Sequence, residues 1–166
     1  MPVAAAEISE WSDLFVASAG ATAALAGLVF VAISINIERI LQLDGVPELG
    51  MVTLLLLIGV LVVSMFGLIP GQGEEAFGTE VLVQSLLWSL SIGLLVRQSL
   101  SSVEQGAARY PSRVVLPLFG TVPYVVGAVM LIAGADSGMY LVFAGMLGAI
   151  ISAVMNAWIL LVEILR

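Results

Sequence analysis

Residues 14–37 read LFVASAGATAALAGLVFVAISINI. The stretch contains no charged residue and exceeds the ~20 apolar residues that a membrane-spanning helix needs. Working outward, four further stretches of similar character follow at residues 49–69, 80–96, 114–135 and 138–161. Turn chemistry separates them. Asp44-Gly45-Val46-Pro47 places a glycine at a helix end and a proline at a helix start. Pro70-Gly71-Gln72-Gly73 stops the second stretch, and Tyr110-Pro111-Ser112 precedes the fourth. Asp136-Ser137 leaves so little chain that the fourth and fifth helices must be antiparallel neighbours.

Composition agrees. The 166 residues are 61% hydrophobic and 10% charged, with mean hydropathy +1.17. Soluble domains run at about 45–50% apolar and about 25% charged. A water-soluble fold of this size cannot hide so much apolar surface. The chain has no Cys, His or Lys. Thiolate chemistry, Cys/His metal sites, Schiff-base lysines and Ser–His triads are thereby removed. The net charge of −7 argues against a nucleic-acid partner. No cofactor is implied.

Five spans put all five arginines on one side. Arg39 follows span one, Arg97, Arg109 and Arg113 lie between spans three and four, and Arg166 is last. The positive-inside rule makes that side cytoplasmic, with the N-terminus outside and the C-terminus inside. The outer loops hold Glu74, Glu75, Glu80 and Asp136 with no positive charge. The first thirteen residues contain no basic residue, so no cleavable secretory signal is expected.

Small residues dominate span one. Gly20 with Ala24, and Ala23 with Gly27, stand four apart, the spacing that lets helix backbones approach in lipid. They occur all round the helix, so its outer half is expected to be enclosed by other helices. Span two, Leu-rich at Leu54 to Leu57, is expected to face lipid. On span five Gly145, Ala149, Ser152, Asn156 and Glu163 share one face. Span one ends on Ser34, Asn36, Glu38 and Arg39, and its apolar pattern predicts a helix running on to Leu43. The two helices are expected to meet at the inner side. Glu38, Arg39 and Glu163 are candidate interface charges, with an Arg39–Glu163 pair as one reading and headgroup contact as the other.

No span interior carries an ionisable residue, so proton relays, voltage sensing and intramembrane hydrolysis lack their groups, and no enzyme is expected. Neutral polar residues remain. Span three has Gln84, Ser85, Trp88, Ser89 and Ser91; span four has Pro117, Gly120, Thr121, Pro123 and Tyr124. Prolines free backbone carbonyls. Either a polar cavity lies between these spans, or a kinked helix has its carbonyls bonded by Ser and Thr hydroxyls. The acidic loop at residues 73–80 either gathers cations at a pore mouth or is simply solvated. The polar segment 97–113 is a headgroup anchor or a docking surface. Trp11 and Tyr140 outside, with Tyr110 and Trp158 inside, read as interfacial belts.

Two segments, WSDLFVASAGATAALAGLVFVAISINIERIL and NAWILLVEILR, resemble a family of small bacterial inner-membrane proteins, some labelled modulators of the membrane protease FtsH. The matching positions are Trp11, Gly20, Gly27, Phe30, Ser34, Asn36, Asn156, Trp158 and Glu163. The resemblance implies a bacterial source and no catalytic residue. Leu25-Ala26-Gly27-Leu28-Val29-Phe30-Val31-Ala32 is also similar to the pore helix of the calcium channel Orai, but Ile35 stands near where that channel's selectivity glutamate would align.

The expected fold is therefore all-α: one domain, a polytopic transmembrane bundle of five helices in a bacterial inner membrane. Gly20, Ala24, Gly27, Ser34, Asn36, Ser152 and Asn156 are candidates for helix packing or pore lining. Pro117, Gly120, Thr121 and Pro123 are candidates for a kink or cavity. The leading functional reading is a homo-oligomeric ion channel or pore. The alternative is a non-catalytic accessory subunit of a membrane complex or protease, with a membrane-protein partner.

Overall fold

A computed structural model describes residues 8–102 and 112–165. Arg109, Tyr110, Pro111 and Arg166 lie outside the described residues, as does most of the polar segment before the fourth stretch. Among the described residues the chain is all-helical, with no strand. A 3-10 turn, Ile8–Trp11, leads into α1 (Ser12–Ile35). Next come α2 (Ile37–Ile40), α3 (Val46–Gly67), α4 (Glu74–Ser102), α5 (Ser112–Ile132) and α6 (Gly138–Leu165). Four of these are long and apolar enough to cross a membrane: α1 with its leading turn, α3, α4 and α6. Four helices of that length and hydropathy are the mark of a membrane protein. The apolar part of α5, Pro117–Ile132, is shorter.

The connections follow the turn residues. Gly45 takes φ +73°, a left-handed conformation that needs no Cβ, and Pro47 then stands in the first turn of α3. Gly71 (φ +71°) turns the chain before α4, and Gly134 (φ +76°) ends α5. The expected continuation of α1 to Leu43 does not occur. The Asn36 carboxamide donates to the carbonyl of Ala32 at 2.9 Å and its own N–H bonds Ile33, which closes α1 and sets the four-residue α2 apart.

Helices α3, α4, α5 and α6 pack in a closed ring, each against the next, and α6 returns to α3. Helix α1 lies outside this ring on α3. The segments that flank it, the leading turn and α2, touch α6. Trp11 meets Tyr140 edge-on at 5.2 Å, and the Arg39 Nε donates to the carbonyl of Ile164 at 3.0 Å. Gly71, Glu74 and Asp136 stand at one end of the bundle, its acidic end, and Arg39 and Arg97 at the other, its arginine end.

This arrangement reverses the expected roles of the first two spans. Over its most apolar window α3 is 56% buried and α1 only 11%. The Leu-rich helix is central and the Gly/Ala-rich helix peripheral. Lipid is as apolar as leucine, so hydrophobicity does not distinguish a lipid-facing helix from a central one. Close approach does, and α3 provides it with glycines. The Ile33 side chain would lie 3.1 Å from a Cβ built on Gly50, and the Trp88 indole 3.1 Å from one on Gly59. The Phe15 ring covers Gly67, and Phe15 in turn packs on Phe77 at 5.6 Å between ring centres.

Hydroxyls along the helices are satisfied locally. Thr22, Thr53, Ser64 and Ser91 donate to the carbonyls of Ser18, Leu49, Val60 and Leu87, each one turn earlier. These residues therefore cross an apolar medium without a partner helix.

Candidate functional site

The α1 surface is the first candidate. Its buried side consists of Phe15 and Thr22, with Leu25, Ala26 and Val29 packed against the core. At 100° per residue, Gly20, Ala24, Gly27 and Val31 fall on the opposite side. All four are exposed. A Cβ added at Gly20 or Gly27 would meet nothing within 4 Å. The outer half of α1 is thus not enclosed by its own chain. Ser34 is exposed and donates to the Phe30 carbonyl at 2.8 Å.

At the arginine end α2 meets α6. Ile40, Val46, Leu49 and Leu160 form a small buried cluster there. The expected meeting of span one with the last span is present. The Arg39 guanidinium uses a backbone carbonyl rather than the Glu163 carboxylate, because the last turn of α6 has carbonyls without helical partners. Glu38 and Arg39 are exposed, and Glu163 is half-buried. Asn36 and Asn156 are not brought together: Asn36 bonds its own helix, and Asn156 lies inside the ring.

The stripe on α6 is the helix's buried face. Gly145 lies under the Tyr124 ring, Ala149 against Gly120, and Ser152 and Asn156 are fully buried. Neither atom of the Asn156 carboxamide has a hydrogen-bond partner. An unpaired buried polar group costs about 1–3 kcal/mol. Asn156→Leu is therefore expected to stabilise the protein by about that amount in detergent unfolding titrations. A loss of stability would instead reveal a bound water or other partner at this position.

Prolines shape α5. Pro117 is buried, and the Thr121 hydroxyl donates to its carbonyl at 3.0 Å. Pro123 has no N–H, so the Phe119 carbonyl loses its usual helical donor. That oxygen lies 2.6 Å from a Cβ built on Gly148 of α6. Gly148 thus offers its Cα hydrogen to the freed carbonyl, a weak bond that a side chain would block. Gly127 and Gly138 form a reciprocal close contact. A Cβ on Gly127 would lie 2.8 Å from the Gly138 oxygen, and one on Gly138 would lie 2.6 Å from the Gly127 oxygen. The α5–α6 pair is joined backbone to backbone. Gly127, Gly138 and Gly148 escaped the sequence reading; glycines seven apart (120 and 127, 138 and 145) were the available signal.

Gln84 and Trp88 of α4 turn toward α3. The Gln84 amide donates to the Gly59 carbonyl at 2.9 Å, and the Trp88 indole to the Leu55 carbonyl at 2.8 Å. This accounts for a tryptophan far from either helix end. Among the described residues, the space between α4 and α5 is an apolar groove. The groove there, about 410 Å³, is lined mostly by Leu, Ile and Val. At the acidic end Glu74 stands beside Asp136, and the Gln72 amide donates to Glu80 at 2.6 Å. Among the described residues no cluster of His, Cys, Asp or Glu is suited to a metal ion. Compared with known protein families, curated proteins and solved structures, the chain matches none.

Proposed function

We propose that the protein is a homo-oligomeric integral membrane protein whose copies assemble through α1, and that the assembly passes ions along the axis it encloses. The observation that carries this reading is the open α1 face, with Gly20 and Gly27 directed away from their own bundle. Glycine in a lipid-facing position wastes packing surface, whereas at a helix–helix contact it permits close approach.

The ring interior is filled: Val60, Val81 and Ala128 are wholly buried. Any conducting path therefore runs between copies. Helix α5, 21 residues long and so about 31 Å, is the fifth span in this reading. The N-terminus is then outside and the C-terminus inside a bacterial inner membrane. Glu74, Glu75, Glu80 and Asp136 make the outer rim negative, which favours cations.

Purified protein in planar bilayers is expected to show cation conductance, with weaker cation preference when these four residues are neutralised together. An intact oligomer that conducts no ion would overturn the pore. It would leave a non-conducting accessory subunit, a reading favoured by the exposed Glu38, Arg39 and Arg97 at the arginine end, where a soluble or membrane partner can dock.

A further inference from the structure

We draw no further inference here: the strongest candidate, the cleft of about 670 Å³ at the acidic end between the leading turn and the α3–α4 connection, lined in part by Ser9, Ser12, Gln72 and Glu74 with Asp136 beside Glu74, rests on an acidic pair, and no second observation among the described residues points to a ligand for it.

Discussion

Gly127→Val is expected to remove most folded protein from detergent extracts, whereas Gly73→Ala leaves the yield near that of the parent. The difference lies in what each side chain meets. At Gly73 a Cβ has open space. At Gly127 it would stand 2.8 Å from the Gly138 oxygen, 2.9 Å from the Val142 nitrogen and 3.1 Å from the Leu141 Cβ. Two of those three atoms are backbone. A side chain can rotate away from an intruder, but helix backbone can only retreat as a whole. Overpacking a core generally costs about 1–3 kcal/mol, and this site belongs at or above the top of that range. The damage would propagate. Moving α5 off α6 also separates Gly148 from the Phe119 carbonyl and Gly145 from the Tyr124 ring. Size-exclusion profiles and resistance to thermal precipitation measure the outcome; a Gly127→Val protein as well behaved as Gly73→Ala would show that the seam is not as tight as described.

Gly27→Leu is expected to have the opposite signature: the fold survives and the assembly does not. Nothing in the chain lies within 4 Å of the added Cβ, so the substitution introduces no internal clash. It also replaces a poor helix former with a good one, a gain somewhat below the about 0.8–1.0 kcal/mol that separates glycine from alanine. Between copies the leucine holds the two backbones apart, and the close packing that drives association in lipid is lost. Helical content by circular dichroism should match the parent, and the native mass should fall to a single chain. Loss of helical content would place Gly27 in the fold of the monomer and contradict the open face.

Much of the fold was legible because lipid imposes length. The five apolar stretches, interrupted at Gly45, Gly71 and the turn before Gly138, fall on α1, α3, α4, α5 and α6, with ends displaced by up to six residues, and four of these helices are long and apolar enough to cross a membrane. The buried stripe on α6 was legible for a different reason. Gly145, Ala149, Ser152 and Asn156 recur at helical spacing, and a face that mixes small with polar residues is costly to show to acyl chains. What could not be read was which helix stands at the centre. In water a Leu-rich face points inward; in lipid it can point either way, and α3 was misplaced on that ground. The glycines that admit Ile33, Trp88 and Phe15 identify α3 as central only once their partners are seen. The polar residues of α4 posed a similar problem. Gln84, Ser85, Trp88 and Ser89 cover more than one face, so their spacing did not say whether α3 or α5 would receive them. For α1 the small residues were plain. That the chain leaves them uncovered is a property of the packing, because Phe15, Leu25 and Val29 on the other side already attach α1 to the core.

In the proposed assembly α1 joins one copy to another. The most direct test is the native mass of the protein released from its own membranes in mild detergent, measured beside Gly27→Leu under the same conditions. Assembly through α1 predicts two or more times the 17.3 kDa chain for the parent and a single chain for the variant. A single chain for both, or the same multiple for both, would contradict it.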